Sequence, residues 1–143
     1  MGANTMTQEI QMHWLDKMAF ETNLDGHTIV LDVDKDSGGD DRGPRAKGLI
    51  LVAMGGCTGM GVLSTLKKMH EPITWFNMKL IGNSADQEPR KYLSFKVVYQ
   101  FKKSDGLNEQ NVRKAVELSQ TKYCAVIATL KDGHEVTWDI EFV

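Results

Sequence analysis

Gly48-Leu49-Ile50-Leu51-Val52-Ala53-Met54-Gly55-Gly56-Cys57-Thr58-Gly59-Met60-Gly61-Val62-Leu63-Ser64-Thr65-Leu66 runs for 19 residues without a charge. Such a stretch approaches the roughly 20 apolar residues that span a bilayer. Its four interior glycines, Gly55, Gly56, Gly59 and Gly61, and the hydroxyls of Thr58, Ser64 and Thr65 dilute it, however, and the chain beyond it alternates like a soluble sheet. We therefore read it as a helix of a soluble core, buried around its whole circumference. Each glycine inside a helix costs about 0.5–1 kcal/mol relative to alanine, so Gly55, Gly56, Gly59 and Gly61 call for an offset. The expected offset is a bare helix face that lets another backbone, or a ligand, come close to Cys57.

Working outward, apolar residues upstream fall on even positions, Ile10, Met12 and Trp14, then Met18 and Phe20, with Asp16 and Lys17 breaking the run. That is a strand pair. His27 to Val33 forms a third strand after an Asp25-Gly26 turn, and Ser37 to Asp41 is a polar loop that ends near Pro44. Downstream, Phe76, Met78 and Leu80 lie on one face of a strand, a loop spans Asn83 to Arg90, and Leu93 to Phe101 alternates strictly. Asn108 caps a helix with the stripe Val112, Ala115, Val116 and Ser119. A short helix starts near Thr121 and runs through Cys124 to about Leu130, and a last strand points Val136, Trp138, Ile140 and Phe142 inward. Strands, a long helix, a strand pair, helices and a strand make an α+β pattern.

A chain of 143 residues suits one domain over 1–143. Its 17 Lys and Arg against 19 Asp and Glu are scattered, which speaks against a nucleic-acid partner. Met1 to Asn23 has neither the basic start nor the apolar core of a signal peptide, so the expected location is the cytosol and not a membrane. His13, His27, His70 and His134 show no metal-ligand spacing with each other or with the cysteines, and no metal or cofactor is expected.

Cys57 and Cys124 match no zinc spacing, which leaves two core thiols or a redox couple. In mid-helix, desolvation alone would raise the pKa of Cys57, so reactivity needs a cation; Arg42, Arg45, His27, Lys47 and Lys122 are the candidates. If Thr121 caps its helix, Cys124 lies in the first turn, where the helix dipole favours a thiolate. Attack on a peroxide gives a sulfenic acid, which a second thiol condenses to a disulfide before further oxidation.

The segments Gly43-Pro44-Arg45, Met54-Gly55-Gly56-Cys57-Thr58-Gly59, Leu66-Lys67-Lys68-Met69 and Lys122-Tyr123-Cys124 resemble the OsmC/Ohr family of osmotically inducible and organic hydroperoxide resistance proteins, in its less characterised branch. The resemblance implies an OsmC-like fold: a long buried central helix wrapped by antiparallel sheets in an intertwined homodimer. It also implies thiol-dependent reduction of organic hydroperoxides in oxidative stress defence, with Cys57 peroxidatic, Cys124 resolving, Arg45 or Arg42 beside the thiolate, and a lipoyl-type dithiol as reductant. Where active members place a Pro and a Glu before the helix, this chain has Ala46-Lys47-Gly48; Asp40 or Asp41 are the substitutes for that carboxylate. The missing glutamate motivates an alternative, a non-catalytic protein that binds a small apolar ligand at the dimer interface.

Overall fold

The computed structural model describes residues 4–143, so only the first three residues of the expected domain lie outside it. The described residues fall into two compact units that part between Leu49 and Ile50.

The first unit is an antiparallel sheet in the order β1 (Met12–Trp14), β2 (Phe20–Leu24), β3 (His27–Leu31). The break in alternation at Asp16 and Lys17 is a turn: Lys17 has φ 47°, and Leu15 donates its N–H to the Ala19 carbonyl at 2.9 Å. Asp25 and Gly26 both take positive φ, 52° and 81°, the conformation of a two-residue hairpin that glycine supplies cheaply. After β3 the chain winds around one buried carboxylate. Asp32 accepts the backbone N–H groups of Val33 (2.8 Å), Asp40 (3.1 Å) and Arg42 (3.1 Å). Burial pushes its carboxyl up; the three N–H donors and the Arg42 guanidinium outweigh that and hold its pKa at about 2. Little apolar surface is covered in this unit, and Trp14, Ile10 and Met18 are all more than half exposed.

The second unit begins with α1 (Leu49–Lys68), all but its first residue, and carries a sheet in the order β4 (Phe76–Ser84), β5 (Tyr92–Phe101), β6 (Glu135–Phe142). Between β5 and β6 lie α2 (Glu109–Leu118), a π-helical turn over Ser119–Tyr123, and α3 (Ala125–Lys131). The α+β class holds, with one correction to its strand pairing. β4 runs antiparallel to β5, but β6 joins β5 parallel, from Ser94 opposite Glu135 to Phe101 opposite Phe142, so this sheet is mixed. A parallel neighbour demands a crossover connection, and α2, the π turn and α3 provide it. Asn108 caps α2 as its sequence predicts, its Oδ1 accepting the Asn111 N–H at 3.1 Å.

As the central strand, β5 supplies much of the core: Phe95, Val97, Val98, Tyr99 and Phe101 are buried with Val112 and Val116 of α2 and Met54, Val62 and Leu66 of α1. Helix α1 corrects a second expectation. Only one side of it is buried, while Val52 is 67% and Met60 75% exposed. Hydrophobicity without period marks a helix that wants cover all round; the chain itself covers one face. By length and composition α1 would also cross a membrane, yet its buried face is packed on β4. There the glycines find their use. A Cβ on Gly55 would stand 2.9 Å from Leu80 Cδ2, and one on Gly59 would overlap Met78 Cε, so at these two positions the bare face admits the sheet, while Gly56 faces open space.

Candidate functional site

Folding brings Cys57, in the middle of α1, into hydrogen-bonding reach of Cys124, at the N-terminal end of α3; both are free thiols. Cys57 is half-buried and Cys124 buried. The chain reaches this arrangement through the π turn. Its extra residue per turn lets the Cys124 N–H bond the Ser119 carbonyl five positions back at 3.0 Å. Cys124 then turns extended and becomes the N-cap of α3, its sulfur accepting the Ile127 N–H at 3.5 Å. Thr121 is not the cap that sequence suggests; its hydroxyl donates back to the Glu117 carbonyl at 2.7 Å.

The electrostatics separate the two sulfurs. Desolvation raises Cys57, but the backbone N–H groups of Val126 and Ala125 and the Cys124 thiol all favour its thiolate and bring the pKa below its ordinary value. Cys124 goes the other way, to about 11. Burial is the main cause, and a neighbouring Cys57 thiolate adds to it, outweighing the N–H groups of Ile127 and Val126. Sequence reasoning assigns the helix-dipole benefit to Cys124. The structure divides the N–H groups of α3 between the two sulfurs, Ala125 and Val126 toward Cys57 and Ile127 and Val126 toward Cys124, and it is the burial of Cys124 that leaves Cys57 the more acidic. The pair therefore yields its first proton from Cys57.

Arg42 and Arg45 belong to the first unit, and each is held there by carboxylates. Arg42 donates to Asp16 at 2.5 Å and reaches Asp32 at 3.5 Å; Arg45 pairs with Asp41 at 2.5 Å and Asp34 at 3.7 Å. Asp41 is thus the carboxylate that orients Arg45, while Asp40 pairs with Lys17 at 2.9 Å. Lys122 places its ammonium 5.2 Å from the centre of the Tyr123 ring. His13 and His27 lie in strands, and His134 sits edge-on to Phe95 with Nδ1 2.9 Å from the Leu130 carbonyl. Among the described residues no three His, Cys, Asp or Glu side chains gather as a metal site.

Sequence reasoning misses a buried polar chain next to the thiols. Thr58, the residue after Cys57, has its hydroxyl 2.6 Å from that of Tyr99 on β5 and 2.7 Å from that of Ser119 in the π turn. Gln120 donates from Nε2 to the Tyr99 hydroxyl at 2.8 Å. None of the four residues is more than 3% exposed. Hydroxyl residues at 41 and 61 positions' separation leave no local signature in a sequence. A cavity of about 370 Å³ opens near them, lined by Gly61, Ser64, Thr65, Lys68, Leu118 and Tyr123.

Comparison with known proteins places this geometry in a family. The chain is 26% identical over 136 residues to Protein YhfA of Escherichia coli, covering 94% of this chain and 98% of that one. Its fold matches a hypothetical protein from Aquifex aeolicus (TM-score 0.78, 23% identity, 97% of this chain and 99% of that one). It also matches an OsmC-like protein from Mycoplasma pneumoniae (0.78, 11%, 96% and 99%). An organic hydroperoxide resistance protein OsmC from Legionella pneumophila shares the fold at TM-score 0.59, with 14% identity over 97% of this chain and 99% of that one. The family model for OsmC-like proteins matches residues 38–139, and on that match, with a free thiol pair at the centre of the fold, the chain belongs to the OsmC-like protein family.

Proposed function

We propose that the protein is a thiol peroxidase that reduces organic hydroperoxides, with Cys57 as the peroxidatic and Cys124 as the resolving residue. Kinship with organic hydroperoxide resistance proteins points to peroxide or redox chemistry. The observation that carries the finer reading is the split between the two contacting sulfurs, one favoured as thiolate and the other held protonated at about 11.

The Cys57 thiolate attacks the terminal peroxide oxygen and the O–O bond breaks; that oxygen stays on Cys57 with its hydrogen as a sulfenic acid, and the departing alkoxide takes a proton from solvent and leaves as the alcohol. Cys124 then attacks that sulfur, water departs, and a Cys57–Cys124 disulfide forms. A dithiol such as a lipoyl group reduces it and is itself oxidised to a disulfide. Apolar surroundings favour organic peroxides over hydrogen peroxide. Arg45 and Arg42 enter as candidate cations on the family resemblance alone. The cytosol suits the reading, since its reductants keep both thiols free between turnovers.

Treating the reduced protein with cumene hydroperoxide should produce a peptide pair joined between Cys57 and Cys124 on mass spectrometry. Unmodified thiols after that treatment would end the proposal in favour of a binding protein.

We also propose that a second copy of the chain covers the apolar side chains left open, Val52 and Met60 of α1 and Trp14, Ile10 and Met18 of the first unit. Light scattering should return twice the 16.0 kDa of one chain; a monomeric mass at micromolar concentration would exclude it.

A further inference from the structure

The chain of hydroxyls beside the thiols joins three elements at one point. Taking Gln120 Nε2 as donor to Tyr99, a self-consistent order follows: Tyr99 donates to Thr58 Oγ1, Thr58 to Ser119 Oγ, and Ser119 to the Thr58 carbonyl 3.5 Å away. Thr58 follows Cys57 directly on α1. Ser119 and Gln120 belong to the π turn that delivers Cys124, and the Ser119 carbonyl takes the Cys124 N–H. Lys131, at the far end of α3, donates to the Gln120 carbonyl at 2.6 Å, so the turn is tied to both ends of that helix. Tyr99 anchors all of this to the central strand.

For stability alone, such a cluster is a poor use of core volume. Buried polar groups gain little net energy over well-packed apolar ones, and here Gln120 Oε1 has no hydrogen-bond partner at all. What a directional chain supplies, and an apolar contact does not, is fixed geometry. Sulfur-to-sulfur attack is sensitive to that geometry, and the N–H groups that favour the Cys57 thiolate sit on the same α3 that the chain holds.

We propose that Tyr99 is a positioning residue for the cysteine pair, holding, through Thr58 on one side and Gln120 on the other, the Cys57 turn of α1 and the turn that carries Cys124 in mutual register. The inference rests on the reading of these thiols as a redox couple, but its test does not require a peroxide. Diamide, an oxidant that takes one hydrogen from each of two thiols, measures closure of the disulfide directly.

Tyr99→Phe and Thr58→Val should slow diamide-driven closure by about tenfold to a hundredfold, the range in which small displacements change reaction rates, while Thr58→Ser, which keeps the hydroxyl, should close like wild type. In the two slow variants the pH midpoint for iodoacetamide labelling of Cys57 should rise, and excess cumene hydroperoxide should divert Cys57 from disulfide toward sulfinic acid. Lower melting temperatures with wild-type closure rates and labelling midpoints would overturn the inference and leave the cluster a packing feature. Should Tyr99→Phe fail to fold, Thr58→Val against Thr58→Ser makes the same distinction. A wild type that closes with diamide but not with cumene hydroperoxide would remove the peroxidase reading while leaving this one to be judged on the diamide rates.

Discussion

Replacing Cys57 by serine should bring the consumption of cumene hydroperoxide, in the presence of a dithiol, down to the uncatalysed background. The exchange is nearly isosteric, and Cys57 is only half-buried, so the fold should survive it. What goes is ionisation: the Ala125 and Val126 N–H groups that favour a thiolate cannot bring a serine hydroxyl into the neutral range. Cys124→Ser should behave differently, oxidising once and then accumulating sulfinic Cys57, because no second thiol intercepts the sulfenic acid. The pH dependence has a defined sign. The reactive form is the deprotonated one, so single-turnover oxidation should accelerate with pH and level off once the lowered pKa of Cys57 is passed. Cys124, ionising only near 11, contributes no second rise below that. Equal rates for wild type and Cys57→Ser would remove the mechanism.

The largest loss of stability is expected for Phe101→Ala. Phe101 is fully buried at the end of β5, stacked on Phe76 with ring centroids 4.7 Å apart and planes within 7°, and tilted against Phe142 at 6.1 Å. Truncating a buried phenylalanine removes its transfer energy and leaves a cavity, together about 3–5 kcal/mol. Set against a total of about 5–15 kcal/mol for a domain, that is a large fraction. Because Phe101 sits opposite Phe76 in one pairing and Phe142 in the other, both neighbouring strands lose a contact at once. Urea unfolding should show the midpoint falling with an unchanged slope. A change under about 1 kcal/mol would mean that the aromatic cluster closes over the gap.

Much of this molecule is legible in its residues. The uncharged run marks α1 to within a residue or two, strict alternation marks β5 and β6, and Asn108 marks the start of α2. Pairing direction is hidden, because alternation in Val136 to Phe142 is the same whether a strand joins parallel or antiparallel. The open side of α1 is hidden too, since composition tells that a surface is apolar but not what covers it. In the site, cysteine number and spacing leave two core thiols or a redox couple, and the pairing of Cys57 with Cys124 comes from the family resemblance. The identity of the groups that favour the Cys57 thiolate is not legible: they are backbone N–H groups, which every residue but proline has, aimed by a π turn whose five-residue reach carries no side-chain signal. Thr121, a good capping residue by type, draws the helix start three residues too early.

One consequence of where those N–H groups lie concerns the chain while it is being made. Cys57 leaves the ribosome 67 residues ahead of Cys124 (124 minus 57), and the amides that favour its thiolate arrive still later, at Ala125 and Val126. Until the crossover docks, Cys57 is an ordinary thiol, mostly protonated in neutral solution. On the proposed mechanism, the nascent polypeptide is thereby spared a reactive sulfur with no partner, and the nucleophile is armed only once the tertiary structure is complete.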